Sequence, residues 1–187
     1  MKKIYHLLNK ITCLAITLKG TTVSEINYQL PTDMRKEEKE ITAIDEIESI
    51  IYKSDVCRIA LANGNIPYIV TMNFGYKGGE TKRLFFHCAK EGKKLDMIRK
   101  NNYVCFEMDT DHIITDGKEA CDFSMKYNSV IGWGHIYIAD TSKDKIEGLN
   151  SIMDHYTNRN DFSYREKSLG NMVILKLDIL EMTGKKG

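Results

Sequence analysis

The chain has 187 residues, 42% hydrophobic and 28% charged, and 27 Lys and Arg against 26 Asp and Glu leave a formal net charge of +1. This balance excludes a disordered chain, which needs few apolar residues and a large net charge. It also gives no support to a nucleic-acid binder built on overall basicity. The length suits one domain, with room for a short appendage.

No run approaches the ~20 apolar residues of a membrane span, so no membrane partner is expected. The first residues, MKKIYHLLNKITCLAITLKG, pair a basic start with an apolar stretch at 11–18. Lys10 and Lys19 bound that stretch and no small-x-small site follows, which argues against a secretory signal. Met34 opens a second plausible start, MRKEEKEIT. Residues 1–33 are therefore read as an N-terminal extension and 34–187 as the domain. Five cysteines, Cys13, Cys57, Cys88, Cys105 and Cys121, form no CxxC pair. An odd, scattered set argues against a disulfide framework. Cys57, Cys88 and Cys105 sit in apolar runs and read as buried thiols. A reducing cytoplasm follows.

Residues 42–45, TAID, read as a capping box. Ile44, Ile47, Ile50 and Ile51 repeat at helical spacing and predict a helix over 43–53. From Val56, the run RIALA, the pair Asn63-Gly64 and the run IPYIVTMNF predict a strand, a tight turn and a strand, since Asn and Gly tolerate positive φ. Pro67 lies near a strand start, where a missing amide donor is tolerable. Gly75, Gly78 and Gly79 mark a turn before the strand RLFFHCA, so residues 66–88 are expected to form a second hairpin.

AKEGKKLDMIRKNN predicts a basic helix with Leu95 and Ile98 on its apolar face. The strand YVCFEM follows, then an acidic loop over 109–122. YNSVIGWGHIYIA (127–139) reads as a long strand. Gly132 and Gly134 inside it suggest a bulge or the close approach of a ligand or another backbone. Residues 140–142 cap a further helix with the stripe Ile146, Leu149, Ile152, Met153 and Tyr156. Residues 158–168 read as loop and MVILKLDIL as the last strand. Six or seven strands and three short helices result. Hairpin links favour antiparallel pairing. Many short strands with glycine-rich turns favour a small closed barrel. The fold class is mainly β with short helices.

Several motifs are absent. Gly92-Lys93-Lys94 lacks the upstream glycine and the Ser/Thr of a P-loop, and Gly132-x-Gly134 lacks the third glycine of a dinucleotide fingerprint. No GxSxG occurs. His6, His87, His112, His135 and His155 show no metal-ligand spacing, so no metal site is expected.

One segment carries chemistry. LFFHCAKEGKKLDMIRKNNYV (84–104) holds a strand end, a polar turn and the start of the basic helix. A helix N-terminus offers free amide donors and attracts phosphate. Lys93 and Lys94 sit on that first turn, where the dipole disfavours cations. A bound phosphate explains them; so does a solvated basic face. His87, at the strand end, reads as a structural or a pocket histidine. Trp133 and the tyrosines read as core.

Five segments together carry a resemblance: MRKEEKEIT, RIALANGNIPYIVTMNFGY, FFHCAKEGKKLDMIRKNNYVCFE, CDFSMKYNSVIGWGHIYIAD and ILEMTGKK. They resemble the pyridoxamine 5′-phosphate oxidase-like flavoproteins with a split β-barrel, and within them the nitroimidazole-resistance (Nim) branch. The resemblance spans Met34 to Lys186; residues 1–33 have no counterpart in it. It implies an antiparallel split barrel that forms a homodimer and binds FMN near the interface, with FAD as the alternative. Lys93 and Lys94 match the basic pair that binds the flavin phosphate. His87 and Cys88 match strand-end positions that approach the flavin. Thr71, Met72 and Asn73 fall on the strand whose backbone lies along the ring. Ser129 matches a polar position that contacts flavin from the partner subunit, and Tyr127 is a pocket candidate beside it.

The same resemblance makes His87 the candidate catalytic residue, since an imidazole can donate a proton or a hydrogen bond to a nitro group being reduced. Cys88 departs from the pattern, standing where small polar residues are common. The C-terminal Trp/Arg segment of the pyridoxamine oxidases is missing and Trp133 is the one tryptophan, so vitamin B6 oxidation is not expected. The expected function is a cytoplasmic FMN-dependent oxidoreductase, nitroreductase-like, that reduces a small electron-poor acceptor such as a nitroimidazole. The alternative is a non-enzymatic split-barrel module that binds flavin or haem.

Overall fold

Alternating burial along the strands sets one face of a long antiparallel sheet against the core. The computed structural model describes residues 36–159 and 161–187. The proposed extension, residues 1–33, lies outside the described residues, and His6 and Cys13 with it. In chain order the elements are β1 (Glu40–Ile41), α1 (Ile44–Lys53), β2 (Cys57–Asn63), β3 (Ile66–Met72), β4 (Gly75–Lys77), β5 (Arg83–Ala89), α2 (Lys93–Lys100), β6 (Tyr103–Thr115), β7 (Ser124–Ala139), α3 (Ser142–Thr157), α4 (Glu166–Gly170) and β8 (Met172–Lys186).

The strands run in the order β3-β2-β6-β7-β8-β5-β4, and β1 pairs with the end of β8. Every pairing is antiparallel. The two ends of this path, β3 and β4, are joined by Asn73 and Phe74 alone. Three Cα steps span at most about 11 Å, so the two edges meet at this corner. Elsewhere along their length no ladder joins them. This is the split barrel.

Ile59 and Leu61 of β2, Leu84 and Phe86 of β5, Val104, Phe106 and Met108 of β6, and Val173, Leu175 and Leu177 of β8 fill the interior. Ile47, Ile50 and Ile51 of α1 and Leu95, Met97 and Ile98 of α2 join them. α3 covers the opposite face of β5 and β8, where Phe85 and Ile174 are also fully buried. That second cover explains why Leu84, Phe85 and Phe86 are apolar without alternation.

Several expectations are corrected. Ala43 caps α1 with no side-chain bond, so residues 42–45 form no capping box. The first hairpin turns at Gly64 and Asn65, because Asn63 still pairs with Ile66. Only Gly64 takes positive φ (+57°), which is the requirement of a II′ rather than a I′ turn. Residues 66–88 do not form a hairpin. β3 pairs with β2 alone, and β5 pairs with β4 and β8, because the chain crosses from one end of the sheet to the other at Asn73.

The segment read as an acidic loop is largely strand. β6 continues to Thr115, pairing Ile113 with Lys126 and Thr115 with Ser124. Thr110, Ile113, Ile114 and Thr115 supply β-branched side chains among the acids. A bulge lies between Thr110 and Ile113, where Asp111 has φ +58°. β8 likewise runs on through the expected tail. The buried positions of α3 are Lys145, Gly148 and Ile152, whereas Ile146 and Tyr156 are exposed. Burying Lys145 is tolerable because its Nζ donates to the Leu169 carbonyl (2.7 Å) and pairs with Asp140 (2.6 Å). Part of the segment read as loop forms α4. Cys57 and Cys88 are buried, but Cys105 is only half-buried.

The glycines of β7 do mark close approach. A Cβ on Gly132 would overlap the Phe106 ring, and one on Gly134 would overlap the Asp178 carbonyl oxygen. The register of β7 on β8 shifts between Trp133 and Gly134.

Candidate functional site

β5 ends at Ala89 and α2 begins four residues later. Gly92 is the N-cap of α2, at φ +135°, a conformation that side chains rarely adopt. Its carbonyl accepts from the Leu95 and Asp96 amides. No side chain caps the helix, so the first amides, on Lys93 and Lys94, have no side-chain acceptor there. Among the described residues, nothing lies within 4 Å of where a Gly92 Cβ would stand. An open, uncapped helix start with two ammonium groups suits an anion by charge and by donors.

The two lysines reach two positions on one face of β3. Lys94 is half-buried, and its Nζ lies 3.8 Å from Met72 Sδ. The Lys93 ammonium sits 4.4 Å from the centroid of the Tyr68 ring. Met72 and Tyr68 are four residues apart on one face of β3. Cys88, at the end of β5, joins this group electrostatically. Burial pushes its thiol pKa up, and the Lys94 charge opposes that shift in part. Met72, Cys88 and Lys94 are thus brought together, with Lys93 farther along β3 at Tyr68.

Other expected residues lie on the outer face. Thr71 is exposed and pairs across from Arg58. Asn73 is exposed at the β3–β4 corner. His87 is exposed, pairs across from Ile174, and points to the face opposite Cys88. It makes no hydrogen bond or ring contact among the described residues. Ser129 is buried and pairs across from Asp109 and Lys185. Tyr127 is half-buried. Its ring faces His112 at 6.4 Å, and the Lys185 ammonium lies 5.8 Å from its centroid. Among the described residues, no hydrogen bond, ion pair or ring contact joins Ser129 or Tyr127 to Lys93 or Lys94.

A network that sequence reasoning missed lies between Thr71 and Ser129 on the sheet. Arg58 reaches Glu107 at 2.9 Å and Asp109 at 2.6 Å. Asp109 also bonds His112 Nε2 at 2.9 Å. Partial burial would raise the Asp109 pKa, but the hydrogen bond and charge of Arg58, aided by His112, outweigh it and hold the carboxyl below its usual range. Thr71, Arg58, Asp109 and Ser129 therefore share one sheet face. No local signal in the sequence reveals this, because the pairing needs the β2–β6 register. An open cleft of about 390 Å³ lies at the far end of α2, lined by Ile98, Lys100, Tyr137 and their neighbours. It includes none of the expected residues.

These features define a split-barrel protein with an uncapped, doubly basic helix start beside a strand corner. The sequence matches the family described as pyridoxamine 5′-phosphate oxidase over residues 43–186, and the chain belongs to that family. A Bacteroides thetaiotaomicron protein named for 5-nitroimidazole antibiotic resistance is 32% identical, with a TM-score of 0.69 over 79% of this chain and 86% of that one. That likeness supports the Nim branch. The flavocytochrome Anf3 of Azotobacter vinelandii (14% identical, TM-score 0.67, 82% of this chain and 71% of that one) shares the fold. So does a FAD and haem binding protein of Mycobacterium smegmatis (16%, 0.64, 79% and 72%). Comparison with curated proteins returned no match. No helix among the described residues is long and apolar enough to cross a membrane.

Proposed function

We propose that this protein is a cytoplasmic FMN-dependent oxidoreductase that reduces a small electron-poor acceptor of the nitroimidazole kind. The carrying observation is the uncapped start of α2, where Lys94 reaches Met72 and acts on Cys88 while the Lys93 ammonium sits over Tyr68 of the same strand. That donor set fits a phosphate monoester, and the family supplies the flavin. When bound, flavin carries the reducing equivalents from a donor to the acceptor.

The chain's own residues do the rest. Lys93, Lys94 and the first amides of α2 hold the phosphate. The backbone of Thr71, Met72 and Asn73 lines the ring. His87 holds a proton at the exposed end of β5 for the nitro group of the acceptor. Thr71, Asn73 and His87 are exposed in the single chain, so the site needs a cover to exclude water. A second copy supplies it in this reading, bringing its Ser129 and Tyr127 to the flavin.

The test is anaerobic turnover of a nitroimidazole by the reduced holoprotein. Turnover is expected, and His87→Ala should retain flavin while slowing turnover by roughly 100-fold or more, the usual contribution of a positioned proton donor. Reduced flavin that stays reduced, with the acceptor left unconsumed, would sink the enzyme reading and leave a binding module.

A further inference from the structure

Asn73 and Phe74 belong to no strand, since β3 ends at Met72 and β4 begins at Gly75. The Phe74 amide finds its partner on α3. It donates to the Tyr156 hydroxyl oxygen at 3.2 Å, and that hydroxyl donates to the Asp55 carbonyl at 2.6 Å. One phenol group thus ties the corner of the barrel to the link between α1 and β2.

His155 completes the bracket. Its ring packs 4.2 Å from the fully buried Phe74 ring. Its Nε2 lies 2.9 Å from the Ser54 carbonyl oxygen. A carbonyl only accepts, so Nε2 carries a proton. Nδ1 is buried without a partner among the described residues. An imidazole kept with one nitrogen unsatisfied has its place fixed by the other nitrogen and by Phe74. Gly75 adds the last restraint, because a Cβ there would overlap the Ser151 and Ile152 backbone.

We propose that Tyr156 and His155 are positioning residues for the flavin strand. By fixing Phe74, they set the backbone of the adjoining Thr71, Met72 and Asn73. The proposal rests on the flavin reading above. It adds that the ring's environment is set from α3, an element that contributes none of the expected contacts.

The test compares Tyr156→Phe with Tyr164→Phe, which removes another α3 hydrogen bond, to Asn150. Hydrogen exchange at the peptide holding Phe74, the FMN dissociation constant and the visible circular dichroism of bound FMN are measured on each. Tyr156→Phe is expected to speed exchange, weaken FMN roughly 2- to 10-fold, as loss of one hydrogen bond allows, and change the flavin dichroism. Tyr164→Phe should change none of these. His155→Leu should behave like Tyr156→Phe, and His155→Gln, which keeps a donor for Ser54, should recover wild-type binding.

A wild type that binds FMN beside a Tyr156→Phe with unchanged affinity and dichroism overturns this proposal alone. A wild type that takes up no FMN overturns the flavin reading, and this proposal with it.

Discussion

Lys94 reaches from the first turn of α2 to within 3.8 Å of the Met72 sulfur. The contact joins the anion site to the strand that the resemblance assigns to the flavin ring. An ammonium gains little from a thioether, which is a weak acceptor. Half-buried beside Met72 and acting on the Cys88 thiol, this charge suits the binding of an anion.

Lys94→Ala should therefore weaken FMN by about 10- to 100-fold, the range for losing one hydrogen bond to a charged group. Lys93→Ala should cost less, since the Lys93 ammonium is exposed and held over Tyr68. Fluorescence titration of apoprotein with FMN measures both. Equal affinity in wild type and Lys94→Ala would remove Lys94 from the site.

Thiol chemistry reports the burial of Cys88. Its pKa is raised by burial despite Lys94, and Cys57 is raised further, whereas Cys121 is exposed. The thiolate is the reactive form. Among the described cysteines, alkylation followed by peptide mapping should label Cys121 first and Cys105 next, with Cys88 and Cys57 slowest. FMN should slow Cys88 further. Labelling of Cys88 as fast as Cys121 would contradict the packing around Lys94.

The Arg58–Asp109 pair gives a pH signature. The folded pKa of Asp109 is lowered, so its contribution is present above the unfolded value of about 4 and is lost as pH falls through the folded value. Asp109→Asn should lower stability near pH 7 by about 1 kcal/mol at most, as both partners are partly exposed. That is a shift of roughly 2–4 °C. In thermal melts the gap between wild type and variant should close as the pH drops below about 4. A gap that stays constant down to the acid limit would mean that Asp109 gains nothing from its charge.

Gly75→Ala should be costly, because the new methyl group meets the α3 backbone rather than a yielding side chain. Overpacking of this kind costs about 1–3 kcal/mol. Gly170→Ala is the control, since nothing lies within 4 Å of its Cβ position. Urea midpoints separate the two. A neutral Gly75→Ala would show that α3 does not press on the corner.

What could be read before the structure follows from what is local. Helix α1 was legible from four isoleucines at helical spacing, and α2 with its basic start from Lys93 and Lys94 before Leu95. Gly132 and Gly134 correctly signalled close approach, because only a missing side chain fits against Phe106 and Asp178. The failures are non-local. RLFFHCA looks like the return strand of a hairpin with IPYIVTM, yet the two segments lie five places apart in the sheet order. Asp109 to Thr115 looks like loop because its acids hide the β-branched residues that pair with β7.

The site divides in the same way. Lys94, Met72 and Cys88 meet near one helix start, with Lys93 beside them in sequence and over Tyr68, and the motif around them was visible in the chain. Arg58, Asp109 and His112 carry no motif, and only strand register brings them beside Thr71 and Ser129. Tyr156 lies 82 residues from Phe74, beyond any local signal.

The central claim is that the α2 start holds a flavin phosphate, and the visible absorption spectrum of freshly purified protein, with the released chromophore identified by mass, tests it most directly. The account predicts a yellow protein that releases FMN. A colourless protein that also refuses added FMN would contradict it.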